Sequence, residues 1–286
     1  MSRLNINKTY KLYIGGKFPR TESGRYYPVY NKKGRLIANM CLASRKDFRN
    51  AVVVARKAQG SWAGVSALNK GQILYRIAEM LEGRRDQFIE ELILQGSTKK
   101  EAEAEVNLSI DRLVYYTGWS DKYQQFFSTI NPVSSAHFNF TTMEPTGVVS
   151  AVAGEQQGLL GLVSVIAPVI VGGNTIVILA SEEKALSAIS FSEVLNSSDV
   201  PGGVVNILTG KREELISHMA SHMDVNAMIY CGDDQNEIKS IQELASNNVK
   251  RTIIYKKQSW SNSNNESPYF IEKTLEAKTT WHPVKV

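Results

Sequence analysis

The chain has 286 residues, 43% of them hydrophobic and 21% charged, and its 33 basic and 28 acidic side chains leave a net charge of +5. That balance excludes a disordered or fibrous chain, and 20 glycines with 8 prolines are too few for a low-complexity one. The basic residues are scattered, which gives no reason to expect a nucleic-acid partner, and two cysteines, Cys41 and Cys231, cannot build a disulfide framework.

Residues 1–17 are polar and lack the apolar stretch of a secretion signal. The first third then reads as helical. Ser44-Arg45-Lys46-Asp47 resembles a capping box, followed by Ala51, Val52, Ala55, Ala58 and Trp62 at helical spacing. A second helix is expected from about Ser66, with Ile73, Leu74, Ile77, Met80, Leu81, Phe88 and Leu92 on one face. A third is expected from about Lys100, with Ala102, Val106, Ile110, Leu113, Val114 and Thr117 inward. In that helix Glu101, Glu103 and Glu105 beside Lys99 and Lys100 read as an exposed charged surface.

Beyond Gly147 the period changes. Short β-branched runs at 147–153, 175–179, 204–208, 227–231 and 252–255 alternate with helical stretches at 158–171, 186–197, 211–221 and 235–247. Runs apolar on both faces suit parallel strands covered on each side. The expected fold is α/β: an open parallel sheet of about five strands with helices on both faces, of the dinucleotide-binding type, preceded by the N-terminal helices. The most apolar stretch, 159–171, has 13 residues and is too short to span a bilayer, so no membrane association is expected and the protein is read as cytoplasmic.

Two pieces fall outside that sheet. Residues 128–143, with the alternating His137-Phe138-Asn139-Phe140, read as an extended excursion. Past a polar linker at 259–267, residues 268–286 read as a C-terminal arm with a terminal strand around Ala277-Lys278-Thr279-Thr280-Trp281. The domain division is thus 1–258, then linker, then arm. An arm beyond a tether can add to a sheet edge, its own or a partner's.

Several motifs, in order, resemble the aldehyde dehydrogenase superfamily. Leu12-Tyr13-Ile14-Gly15-Gly16-Lys17 is similar to its "INGKW" opening, and Tyr115-Tyr116-Thr117-Gly118-Trp119-Ser120-Asp121-Lys122 to "YYAGWADK". Glu144-Pro145-Thr146-Gly147-Val148-Val149 resembles "EPIGVV", and the run from Val200-Pro201-Gly202 to Gly210 resembles "LPPGVLNVVTG". The resemblance implies a cysteine nucleophile, an amide that stabilises the oxyanion, a nicotinamide cofactor and a glutamate base. It places the cysteine on a domain inserted after the sheet.

The matching positions depart from that chemistry. The oxyanion asparagine falls on Gln156 and the general-base glutamate on Tyr255. The adenosine-binding lysine falls on Leu179, while Glu182 matches the ribose-binding glutamate. Gly210 and Gly232 match family glycines near the cofactor, but Asp233 and Asp234 follow Gly232, where a helix N-terminus meets phosphates. Asp233 also reads as an N-cap. After Gln258 the resemblance skips to the family's closing arm, so the inserted domain is expected to be absent. Neither Cys41 nor Cys231 matches the nucleophile, and both read as small buried hydrophobes. His218 and His222, at i and i+4, read as a solvated helix face; no metal site is expected.

The resulting expectation is a catalytically inactive family member that acts as an oligomerising scaffold or regulatory partner. It would associate with itself or with a full-length aldehyde dehydrogenase relative, residues 128–142 and 269–281 meeting in an intermolecular sheet. No cofactor is expected beyond weak NAD(P) at a vestigial site of Glu182, Gly210 and Gly232. The alternatives are an NAD(P)-binding sensor, and an oxidoreductase acting on aldehydes when another chain completes it.

Overall fold

Helix and strand placement follows from where the chain can satisfy its backbone while burying apolar faces. The computed structural model describes residues 8–284. It begins with β1 (Lys8–Tyr10), β2 (Tyr26–Tyr30) and β3 (Leu36–Cys41), a small sheet in the order β1-β3-β2. This sheet corrects the all-helical reading of the first third. Its strands are short and the exposed faces carry Tyr26 and Tyr30, so no clean alternation marks them.

α1 (Arg45–Ala63) starts at Ser44 with the expected capping box: the Ser44 hydroxyl accepts from the Asp47 amide, and Asp47 accepts from the Ser44 amide. α2 (Ala67–Glu82) and α3 (Arg85–Leu94) divide what reads in sequence as one helix. They part at Gly83, where the chain stops extending the helical ladder, and Phe88 and Leu92 enter the core from the second piece. α4 (Lys99–Thr117) carries a second capping box, Thr98 with Glu101. On α4 two sequence expectations are corrected: Val114 faces solvent, and Glu105 is only 6% exposed, turned into the body beneath the next helix of the core.

α5 (Tyr123–Phe127) leads into β4 (Thr129–Asn131) and β5 (His137–Pro145). The chain then builds β6 (Val148–Val152), α6 (Gly158–Val171), β7 (Thr175–Leu179), α7 (Ala185–Asn196), β8 (Val205–Leu208), α8 (Arg212–Ser221), β9 (Ala227–Cys231), α9 (Gln235–Ser246) and β10 (Arg251–Tyr255). After α10 (Tyr269–Glu272), β11 (Leu275–Pro283) ends the described chain. β6 to β10 form the expected five-stranded sheet, wholly parallel, in the order β10-β9-β6-β7-β8. β6 to β9 are buried along their whole length, and so is α6, whose 14 residues are nearly all apolar. A helix apolar all round belongs inside the protein, as here between the sheet and α4.

The arm folds back on its own chain. β11 pairs antiparallel with β5 from Leu275↔Pro145 to Pro283↔His137, and β4 completes the sheet β11-β5-β4. The expected meeting of these two segments between molecules is therefore corrected: they meet within one. Nor is 259–267 a free tether. Trp260 is buried, its indole lying 3.1 Å from the point a Cβ on Gly161 would occupy, so it seats closely on α6 where a side chain would have to push it back. The buried Arg112 guanidinium donates to the carbonyls of Trp260 (3.0 Å) and Asn265 (2.8 Å), to Ser164 Oγ (2.7 Å) and to Glu266 (3.0 Å). The stretch is a strap locked onto α4 and α6.

Candidate functional site

In an open parallel sheet the binding crevice lies at the carboxyl ends of the strands, where the order of strands reverses. Here β6 is flanked by β7, which follows it in sequence, and by β9. The turns after these strands bring together Gly154, Glu155, Arg212, Cys231, Gly232 and Lys257 around a crevice of about 190 Å3.

Several of its polar groups engage one another, while Arg212 Nε, Glu155 Oε1 and Gln157 Oε1 are buried without a hydrogen bond among the described residues. Arg212, at the start of α8, donates to the Ala153 carbonyl at 2.5 Å and lies 3.1 Å from Glu155 Oε1. The other Glu155 oxygen accepts from Ser181 Oγ at 2.5 Å. Glu182 accepts from Lys211 Nζ and from the Arg212 amide, each at 2.7 Å. The hydrogen bond to Glu182 raises the Lys211 pKa, so the ammonium is held in its charged form. Glu155 with Arg212, in the crevice lining, and Glu182 with Lys211, beside it, thus form two ion pairs within the chain, and the lining carries Asp233 and Lys257 as well.

The sequence-matched positions separate in space. Glu182 lies beside the crevice rather than in its lining, with its carboxylate engaged as described. Gly232 lines the crevice; a Cβ on it would lie 2.5 Å from the Tyr230 hydroxyl, which itself donates to Glu237. Gly210 instead packs on Ala43, its would-be Cβ 3.3 Å from the Ala43 amide nitrogen. Gln156 is exposed, and its carbonyl accepts from Lys184 Nζ at 2.5 Å. Tyr255 lines the crevice but is 4% exposed, stacked edge-on against Trp260 and Phe270, and burial drives its pKa well above the ordinary phenol value. Leu179 is fully buried in the core.

The α9 N-terminus is closed by its own residues. Asp234, not Asp233, is the N-cap, accepting from the amides of Asn236 (2.8 Å) and Glu237 (3.0 Å). Asp233 accepts from the Lys257 amide at 2.6 Å. Both thiols are free and buried, and burial pushes Cys231 up to about 12, far from the thiolate a nucleophile requires. His222 lies just past α8 and stacks edge-on against Phe48, with ring centroids 5.6 Å apart.

Sequence reading missed Glu155, Ser181, Lys211 and Arg212. A signal for the last two was present: a Lys-Arg pair opens α8, where the helix dipole favours acidic groups. Cations there imply carboxylates within reach, and Glu155 and Glu182 are those carboxylates.

A sequence model of the aldehyde dehydrogenase family matches residues 18–255. Among curated proteins, mouse cytosolic 10-formyltetrahydrofolate dehydrogenase is 30% identical over 260 residues, 89% of this chain and 29% of that protein. Chicken retinal dehydrogenase 2 is 34% identical over 260 residues, 88% of this chain and 49% of that one. Among solved structures, PnpE from Pseudomonas sp. WBC-3 superposes with a TM-score of 0.82 at 26% identity, covering 86% of this chain and 50% of PnpE. The NAD+ complex of aldehyde dehydrogenase from Bacillus cereus gives 0.82 at 24% identity, 87% of this chain and 51% of that one, a likeness of fold. The chain spans about half or less of the length of these relatives.

Proposed function

The chain belongs to the aldehyde dehydrogenase family, and from that premise we propose that it is a catalytically inactive member acting as an oligomerising scaffold or regulatory partner. The observation that carries this reading is the crevice: Lys211 engages Glu182, and Arg212 occupies the space beside Glu155. A dinucleotide needs that carboxylate for its ribose and an open path for its phosphates. The residues present do not fit it. Freeing Glu182 for a ribose would break its bonds to Lys211 Nζ and to the Arg212 amide, a cost that disfavours binding.

The chemistry lacks its actors as well. Cys231 is the thiol at the crevice, and burial keeps it protonated. Tyr255, at the base position, is packed among aromatic rings. What the fold offers is a surface for assembly. The sheet β11-β5-β4 leaves β11 as a nine-residue edge, with Trp281 on it more than half exposed, as is Ile130 on β4 at the other edge. Such an edge accepts a strand or a sheet face from a second copy or from a full-length aldehyde dehydrogenase relative. No described helix is long and apolar enough to cross a membrane. The free cysteines fit a reducing compartment, and we place the protein in the cytoplasm.

The test is turnover. Purified protein with NAD or NADP and a panel of simple aldehydes should give no absorbance change at the reduced-nicotinamide band above a heat-killed control. Turnover by the chain alone overturns the reading. Turnover that appears only on mixing with a full-length relative, and exceeds the relative's own rate, supports a regulatory partner over a passive scaffold.

A further inference from the structure

Which backbone groups β11 offers to a neighbour follows from its ladder with β5. Just beyond the two ends of that ladder, the Thr146 amide donates to the Thr274 carbonyl and the Val284 amide to the Ala136 carbonyl. Both pairs are directly opposite in the unbroken register from Leu275↔Pro145 to Pro283↔His137. Hydrogen-bonded pairs recur at every second residue of an antiparallel ladder. The even-numbered residues of β11 therefore turn their backbone groups towards β5. Ala277, Thr279 and Trp281 turn theirs outwards, where β11 has no neighbouring strand among the described residues. This outward row is closed at both ends: Arg251 Nη1 donates to the Leu275 carbonyl, and Pro283 has no N–H to offer. What remains is a short stretch of edge centred on Thr279.

A strand closes such an edge only when its own outward groups fall in step with it. A second copy of β11 does so. Placed antiparallel about a two-fold axis at Thr279, it sets Thr279 against its twin and each Ala277 against a Trp281, and each of these pairs exchanges both N–H···O bonds. The side chains fit the same register. Trp281, more than half exposed, lies over the small Ala277 of the other copy, on the face where the Thr279 hydroxyl meets Thr141 Oγ1 at 2.9 Å. On the opposite face Glu276, which holds Lys278 at 3.1 Å, meets His282, so an acceptor faces a donor. Neighbouring axes are worse. One at Ala277 calls on the Leu275 carbonyl that Arg251 occupies, and one at Trp281 calls on Pro283 and opposes two indoles. One at Lys278 sets that ammonium against its twin, and one at Thr280 sets it against His282, like charges or paired donors in each case.

We propose that the chain forms a two-fold dimer in which β11 pairs antiparallel with β11 of a second copy, centred on Thr279, so that two β4-β5-β11 sheets become one continuous sheet. The inference rests on the assembly reading above and names its partner and register. It uses only backbone groups that the fold already turns outwards, so β4 and β5 keep their places.

The experiment uses the full chain, with sedimentation velocity over a concentration series and disulfide mapping of the register. Thr279→Pro removes the amide at the axis; that N–H takes no part in the ladder with β5, so the edge strand accepts the ring and the circular-dichroism spectrum should be unchanged. The substitution should raise the dimer dissociation constant about tenfold or more, and so should Trp281→Ala, which leaves every backbone group in place. Lys278→Cys protein mixed with Thr280→Cys protein under mild oxidation should yield a disulfide-linked heterodimer, because the axis sets these positions opposite each other in a pair without backbone bonds, where side chains come closest. Cys41 and Cys231 are buried and do not compete. A dimer that both Thr279→Pro and Trp281→Ala leave at parental strength overturns the pairing while self-assembly through another surface, and with it the assembly reading, stands. A cysteine mixture that gives no heterodimer overturns the pairing in the same way. A chain that stays monomeric up to its solubility limit overturns the pairing and self-assembly together, and leaves the assembly reading only a full-length relative as partner.

Discussion

Arg112→Ala should release the strap formed by residues 259–267. The guanidinium is nearly inaccessible, with a side-chain exposure of 3%, and reaches four acceptors on two other segments. Truncation leaves the Trp260 and Asn265 carbonyls and Ser164 Oγ without this donor, each worth about 1 kcal/mol or more when buried. The Glu266 contribution is smaller, because that side chain is 32% exposed and water screens the pair. The total comes to about 3–4 kcal/mol, or on the order of 6–10 °C in melting temperature for a chain of this size. Trp260 would also lose the contact that holds its backbone over Gly161. The assay is thermal unfolding followed by circular dichroism, paired with limited proteolysis read by mass spectrometry. The variant should melt earlier and be cut within 259–267 under conditions where the parent is resistant. Arg112→Lys should recover less than half of the loss, since one ammonium cannot span the four acceptors. A change of less than about 1 °C with an unaltered cleavage pattern would refute the reasoning, because it would mean that water replaces the guanidinium without cost.

Further consequences can be checked in parallel. At pH 8 the native protein should resist iodoacetamide at Cys231, whose proton burial holds up to about 12, and become alkylated only after unfolding; rapid native labelling by intact-mass analysis would contradict this. Tyr255 has its folded pKa raised by burial, so it contributes stability that is fully present below the unfolded value of 10.0 and is lost as pH climbs above it. Urea midpoints measured from pH 9 to pH 11 should fall, and Tyr255→Phe should flatten part of that slope; identical slopes would show that Tyr255 is not a contributor. Arg212→Met and Glu155→Gln, combined in a double-mutant cycle, should report a coupling of about 1–2 kcal/mol, reduced from a fully buried value because the side chains are 18% and 29% exposed. A coupling near zero would mean that the two groups do not lean on each other.

The sheet was readable in the sequence because its signal is local. Runs such as Thr175-Ile176-Val177-Ile178-Leu179 are apolar on both faces and are separated by helical stretches. The first sheet escaped notice for the opposite reason: β1 has three residues, and Pro28 interrupts the alternation of β2. Glu105 was misread because three glutamates at alternate positions look like one solvated surface. Glu103, at i+2, points away from both, however, and the i, i+4, i+7 row of Glu105, Ser109 and Arg112 is the buried side of α4, while Glu101 sits in the exposed first turn as the partner of Thr98. The crevice was half legible. Glu182 could be located from its motif, but what engages it comes from α8, some 30 residues on, and long-range pairing has no local trace. The partnership of β5 with β11 is non-local in the same way. Alternation marks a strand but does not say whether its neighbour belongs to the same molecule.

Calorimetric titration of the purified chain with NAD and with NADP to millimolar concentration tests the central claim most directly, which is that the chain's own cations hold the crevice closed to a dinucleotide. The account predicts heats indistinguishable from dilution for both cofactors. A saturable exothermic isotherm with one site per chain would contradict it, and would instead assign the protein a nucleotide-sensing role through Glu182 and Gly232.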